Sequence, residues 1–289
     1  MSHTGALEIK NVSKAFGGVQ AVQDMCLVVR PGEIVSLIGP NGAGKTTLLN
    51  LISGFYKPDS GEILFGGKRI DGLGPDKVTA AGIARTFQSL RLFHELSVLD
   101  NVMVAQHHRL GVGWLAAALG LRRYRTRTQE LTNVALDSLA FFGRRLMGYR
   151  LGQPVHVLSY ANRRRVEMAR AMSTGARLLL LDEPSAGMNP NETDEIARLI
   201  LRMRDEHGFA ILVVEHKMKL VEMVSDRVVA MDFGRKLAEG SFYEVTNDPV
   251  VIESYLGRPA SSEGDGPAGA GQGNDGDDEP AADTEGEKA

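Results

Sequence analysis

The sequence has 289 residues, 43% hydrophobic and 24% charged, with a formal net charge of −3. That length suits one large domain or two small ones, with enough chain to close a core. A lone cysteine, Cys26, excludes an internal disulfide, and the longest uncharged apolar run, Leu110 to Leu121, is too short to cross a bilayer. With no leader-like stretch before Leu7, the expected compartment is the reducing cytosol.

From Leu7 to residue 258 short β-rich runs alternate with helical segments, the pattern of an α/β core. Strands are predicted at Leu7–Val12, Met25–Arg30 and Ile34–Ile38. The third runs into Gly39-Pro40-Asn41-Gly42-Ala43-Gly44-Lys45-Thr46, which fits the phosphate-loop pattern G-x-x-x-x-G-K-[ST]. A helix is expected over Thr46–Ser53, with Thr47 in its first turn and Gly54 as a cap. Glycines let successive N–H groups turn toward phosphate oxygens, and the positive helix end adds to that field. Lys45 would neutralise the β/γ-phosphates of ATP, and the Thr46 hydroxyl would take a place on Mg²⁺. A strand, the loop and a helix in that order make a mere Gly-rich turn a poor explanation.

Strands follow at Glu62–Phe65 and Gly82–Phe87. Gln88 comes directly after, a neutral amide placed to touch Mg²⁺ and an attacking water while starting a helical block. Between Ser97 and Ala176 no strand pattern is visible, so a helical insertion of about 97–176 is predicted between two halves of a sheet. Within it, the apolar run around Trp114 precedes Arg122, Arg123, Arg125 and Arg127. A subdomain helix with a solvated basic end explains this, and a surface toward lipid phosphates or a permease is the alternative. A single aromatic residue, Tyr124, stands among the basic ones, and the body as a whole is only weakly basic, which argues against nucleic acid as a partner.

Leu178-Leu-Leu-Leu-Asp182-Glu183 reads as a fully buried parallel strand that ends in two carboxylates. Asp182 is placed to hold Mg²⁺, directly or through water, and Glu183 to polarise the attacking water. Ala210–Val214 is another apolar strand, and His216 just beyond it is placed to contact a γ-phosphate. A last strand is predicted at Arg227–Met231. From Pro259 onward nine acidic residues and one Lys give −8, so the preceding body carries +5. That stretch, 259–289, has no Val, Ile, Leu, Met or aromatic residue to bury and reads as a disordered, solvated tail.

These pieces in this order resemble an ABC-transporter ATPase subunit. The decisive segment is Leu158-Ser159-Tyr160-Ala161-Asn162-Arg163-Arg164-Arg165 with Val166-Glu-Met-Ala-Arg170-Ala after it, which aligns without gaps to the LSGGQ signature and helix. Further stretches, Arg85-Thr-Phe-Gln88, Val98-Leu-Asp-Asn-Val102, Ser185-Ala-Gly-Met-Asn-Pro190, Glu215-His-Lys-Met-Lys-Leu220 and the ending through Gly257, make the chain most similar to the larger ATPase of branched-chain amino acid importers. The resemblance spans roughly 7–258. It implies a P-loop NTPase core with an antiparallel β subdomain and an inserted helical subdomain. It also implies a second ATPase subunit (a paralogue or a second copy), two transmembrane permease subunits meeting the chain mainly between Gln88 and Asn101, and, indirectly, an extracytoplasmic solute-binding protein. The expected location is peripheral, on the inner face of the plasma membrane. By the same resemblance Phe16 matches the ring that stacks on adenine, and Ser159–Asn162 reach ATP held by the partner.

Ala161 and Asn162 depart from the family's glycine and glutamine. A Cβ at 161 is expected to crowd a close approach or a positive φ, at a cost of order 1 kcal/mol. The shorter Asn162 forfeits a hydrogen bond worth about 0.5–1.5 kcal/mol. Asn189 stands where many ABC proteins have Asp, with no expected loss. Rival readings are the same machine importing urea, short amides or other amino acids, and a soluble ABC ATPase without transport. The long coiled-coil insertion or second module usual for the latter is absent from the sequence.

Overall fold

A computed structural model describes residues 7–111, 119 and 121–256. The acidic tail, Trp114 and most of the Leu110–Leu121 run lie outside the described residues.

The chain opens with a long hairpin, β1 (Leu7–Phe16) and β2 (Val19–Val29), turning at Gly17-Gly18. Next come β3 (Ile34–Ile38), α1 (Lys45–Ile52), β4 (Ser60–Phe65) and the two-residue β5 (Lys68–Arg69). The antiparallel order β2-β1-β4-β5 makes the first sheet. The hairpin is longer than predicted because register shifts beyond Ile9, and a left-handed Asp24 (φ 45°), break the alternation that marks a strand.

The second sheet takes β3, β6 (Ile83–Arg85), β7 (Leu178–Asp182), β8 (Ala210–Val214), β9 (Arg227–Asp232) and β10 (Arg235–Gly240). Its order is β10-β9-β3-β8-β7-β6, parallel except for the antiparallel edge strand β10. Two predictions change here. β6 is shorter than Gly82–Phe87, because Gly82 (φ 108°) ends α2 (Pro75–Ala81). β10 was not predicted: its sequence Arg-Lys-Leu-Ala-Glu-Gly is too polar to read as a strand, yet polar residues suit an edge.

The block between 97 and 176 is helical among the described residues, apart from one isolated bridge, Ser97 to Pro154. It holds α3 (Val98–Ala105), α4 (His107–Leu110), α5 (Arg122–Phe141), three short 3₁₀ turns and α6 (Tyr160–Ser173). Gln88 does not start this block. It sits in a loop, and the first helix begins only at Val98, capped by the Ser97 hydroxyl. After β7 come α7 (Pro190–His207) and α8 (Met218–Val224), then α9 (Phe242–Thr246) and α10 (Pro249–Leu256) beyond β10. Asn189 caps α7 in a reciprocal box with Glu192, a role its amide fills as well as a carboxylate would.

The four leucines of β7 explain why that run carries no alternation. Leu178 and Leu180 enter a core with α1 and the antiparallel sheet, while Leu179 and Leu181 enter the core built from helices α3 and α5 to α8. Each fully buried leucine is worth about 1.5–3 kcal/mol over an exposed one, so β7 is invested on both faces.

Candidate active site

All five residues of β3 are buried, and the chain leaves the sheet at Gly39. A Cβ on Gly39 (φ 153°) would run into the carbonyl oxygen of Met231, and one on Gly44 (φ 99°) into that of Ala21. Only glycine fits either position. Gly44 caps α1 with no side-chain bond and no acidic residue in the first turn, so the early N–H groups are free to meet an anion. Lys45 reaches back over the loop and donates to the carbonyls of Gly39 (2.7 Å) and Pro40 (2.8 Å). Burial pushes its pKa below the usual lysine value, while Glu183, Asp182 and Asp232 work in the opposite direction. Pro40, Asn41, Gly42 and Ala43 complete the loop, and Thr46 and Thr47 stand in the first turn of the helix. The helix runs Lys45–Ile52 rather than Thr46–Ser53, with Ser53 as its C-cap.

The carboxylates lie at the end of β7. Asp182 is buried and takes the Arg85 guanidinium at 2.9 Å. Glu183 turns away with a left-handed backbone (φ 46°), and its N–H donates to Val214 at 2.8 Å. A non-glycine residue held this way costs about 1–3 kcal/mol, and the sheet ladder supplies the constraint that keeps it there. Gln88 Nε2 donates to Glu183 Oε2 at 2.9 Å, and His216 Nδ1 stands 3.8 Å from the same oxygen. Three predicted residues from three different strand ends therefore meet at one carboxylate. Thr46, Gln88 and Asp182 line one cavity of about 330 Å³ together with Asn50 and Arg85. Their hard oxygen donors, too few to surround an ion without water, fit Mg²⁺, which keeps much of its hydration shell.

Sequence reasoning missed the residues that hold this cluster. Glu215 is fully buried; its Oε1 accepts from the N–H groups of His216 (3.0 Å) and Lys217 (3.2 Å), and its Oε2 from the Ser185 hydroxyl (2.8 Å). Arg164, also fully buried, donates to the carbonyls of Phe87 (2.6 Å), Gln88 (2.9 Å) and Glu183 (3.4 Å) and to Glu167 (2.7 Å). Both look like solvated charges in sequence; only the fold shows them as frame.

Phe16 ends β1 as a 42% exposed residue, its ring edge-on to Tyr56 at 5.1 Å and with Lys14 Nζ 5.4 Å from its centroid. Ser159 is the N-cap of α6, and its hydroxyl makes no capping bond. Tyr160 is partly exposed beside Gly187, and its hydroxyl accepts from Arg164 at 3.4 Å. Asn162 is occupied within the chain, accepting from Arg165 at 2.7 Å. One expectation is corrected: Ala161 is an ordinary helical residue with no positive φ, and its methyl is buried in the helical core, so no backbone strain arises there. The signature residues do not line the Thr46–Gln88–Asp182 cavity.

A phosphate loop on a buried parallel strand, with paired carboxylates on a neighbouring strand and a helical block packed alongside, defines a P-loop nucleotide-binding cassette. The ABC transporter family profile matches residues 22–186, and a profile described as branched-chain amino acid ATP-binding cassette transporter matches 235–261. The high-affinity branched-chain amino acid transport ATP-binding protein BraF of Pseudomonas aeruginosa is 41% identical over 256 residues, covering 87% of this chain and 97% of its own length. Its counterpart LivG of Escherichia coli is 42% identical over 252 residues, with the same coverages. Among solved structures, the ADP conformation of MJ1267, an ATP-binding cassette of an ABC transporter, superposes with a TM-score of 0.75 at 30% identity, covering 88% of this chain and 99% of the other. The chain belongs to the ABC transporter family, as an ATP-binding cassette.

Proposed function

We propose that this chain is the ATP-hydrolysing subunit of an importer for branched-chain amino acids. It pairs with a second ATPase subunit and works on two permease subunits, which take solute from an extracytoplasmic binding protein. One observation carries the catalytic half: Gln88 and His216 converge on Glu183, beside the carboxylate Asp182 and the Lys45 loop. The cargo half rests on the relatives BraF and LivG, both branched-chain amino acid transport proteins, and on the match over 235–261.

In this reading the loop N–H groups and Lys45 bind the β/γ-phosphates of ATP, and the Phe16 ring stacks on adenine. Thr46, Asp182 and Gln88 would hold Mg²⁺, which when bound supplies neutralisation of phosphate charge. Glu183 polarises the attacking water, with Gln88 fixing the carboxylate by its amide and His216 placed toward the γ-phosphate. Ser159, Tyr160, Ala161 and Asn162 present the N-terminus of α6 to the nucleotide of the other subunit. A solved dimer of the cassette MJ0796, at 25% identity and TM-score 0.68, supports such pairing. ATP binding closes the pair, and hydrolysis with product release reopens it, which drives the permease. No helix among the described residues is long and apolar enough to cross a membrane. In this reading, by the role of the relatives BraF and LivG, the chain docks peripherally, at the inner face, through residues 88–101.

The Glu183→Gln variant tests the catalytic role. It should bind ATP and accumulate a nucleotide-trapped dimer, while phosphate release falls about 10²–10⁴-fold; an unchanged rate would remove Glu183 from the role. For the cargo, the complex in proteoliposomes should hydrolyse ATP faster with leucine and its binding protein. Stimulation by urea or an amide instead would overturn that half.

A further inference from the structure

Arg85 is an acceptor-seeking cation sealed inside the protein: its side chain is 5% exposed and that of Asp182 6%. Its three nitrogens are used unequally. One terminal nitrogen donates to Asn50 Oδ1 at 2.7 Å and Ser53 Oγ at 3.0 Å, both at the C-terminal end of α1, the helix that the phosphate loop opens. The other donates to Asp182 Oδ2 at 2.9 Å. Nε is buried with no hydrogen-bond partner among the described residues. The guanidinium also lies 4.8 Å from the Phe87 ring centroid, one residue before Gln88. Arg85 thus connects the far end of α1, the carboxylate of β7 and the loop that carries Gln88.

A buried carboxylate needs its charge matched, and Arg85 provides the only ion pair that Asp182 makes among the described residues. The contact uses Oδ2, leaving Oδ1 for another partner. Arg85 also walls two cavities. One is shared with Thr46, Gln88 and Asp182; the other, of about 340 Å³, lies between α2 and α6 and is bounded by Val78, Arg170 and Thr174. Metal-site carboxylates are oriented by such outer partners, whose removal costs 10–100-fold in metal affinity.

We propose that Arg85 is a positioning residue for the metal: it fixes the Asp182 carboxylate by one oxygen so that the other meets the Mg²⁺ of bound ATP. The proposal rests on the reading of Asp182 as a metal-holding carboxylate. A lysine at 85 keeps the charge but has one nitrogen where the fork has three. It cannot satisfy Asn50, Ser53 and Asp182 together in the same geometry.

The experiment measures Mn²⁺ affinity of the full chain saturated with ATP, by electron paramagnetic resonance, for the unsubstituted protein, Arg85→Lys and Asp182→Asn. ATP binding in EDTA and thermal midpoints are recorded alongside. Arg85→Lys should weaken Mn²⁺ binding about 10–100-fold while leaving metal-free ATP binding within twofold. If Asp182→Asn weakens Mn²⁺ binding and a folded Arg85→Lys does not, the proposal is wrong. If Asp182→Asn itself has no effect, the reading of the metal site fails instead, and the proposal falls with it. Equal loss of ATP binding with and without metal in Arg85→Lys would assign Arg85 to the loop rather than the metal, and overturns the proposal too.

Discussion

Replacing Arg164 by methionine should be among the most damaging single changes in the chain. Its guanidinium is fully buried and bonds the carbonyls of Phe87, Gln88 and Glu183 as well as the Glu167 carboxylate. Methionine fills much of the space but strands Glu167, whose Oε1 also accepts from the N–H groups of Phe87 and Arg91. Breaking a buried ion pair by removing one partner costs about 3–5 kcal/mol. For a chain of this size that lowers the thermal midpoint by roughly 6–20 °C, at 2–4 °C per kcal/mol. The deficit has a sign in pH. Burial raises the folded pKa of Glu167 above its usual value, and Arg164 works against that rise. A group with a raised folded pKa contributes its full stability below the unfolded pKa and loses it as pH rises through the folded value. Without Arg164 the folded pKa climbs further, so the variant's deficit should be largest at alkaline pH and shrink as pH falls toward the usual carboxylate range. Denaturant unfolding of both proteins at several pH values measures this, and Arg164→Met with Glu167→Gln should recover part of the loss. A deficit below about 1 kcal/mol, or one constant with pH, would refute the argument.

Other outcomes follow from the same geometry. Gly39→Ala should weaken ATP binding at least tenfold by equilibrium titration, because its Cβ meets the Met231 carbonyl oxygen and the loop must shift. Asn162→Gln should raise ATP turnover of the assembled transporter several-fold, whereas Ala161→Gly, at a buried helical position, should not; an unchanged rate for Asn162→Gln would show that this signature variant does not limit activity. Ending the chain after Arg258 should leave hydrolysis unchanged, since the acidic stretch beyond carries no residue of the site, and a large loss would make that stretch regulatory.

Contiguous, local chemistry was legible in the sequence. The phosphate loop, the leucine run into Asp182 and Glu183, and His216 after an apolar strand each announce themselves within ten residues, and each lies at the C-terminal end of a strand of the parallel sheet. Residues whose meaning depends on distant partners could not be read. Arg85 is 97 positions from Asp182, Arg164 is 76 from Gln88, and Glu215 is 30 from Ser185. A charged residue is ordinarily solvated, and only tertiary packing reveals the few that are not. Backbone strain is equally silent: nothing in Leu-Asp-Glu-Pro indicates that Glu183 is left-handed. Edge strand β10 escaped for the opposite reason, since its polarity is an adaptation to solvent rather than to the core.

The division of labour along β7 has a mechanical corollary. Neighbouring leucines answer to different layers: Leu179 and Leu181, with Ile34, Ala84, Ile211 and Val213 of the neighbouring strands, form the floor on which the helical layer rests. Leu178 and Leu180 stay gripped by the layer around α1. The strand is a keel held from both sides, and the tip that carries Asp182 and Glu183 takes its heading from two cores at once.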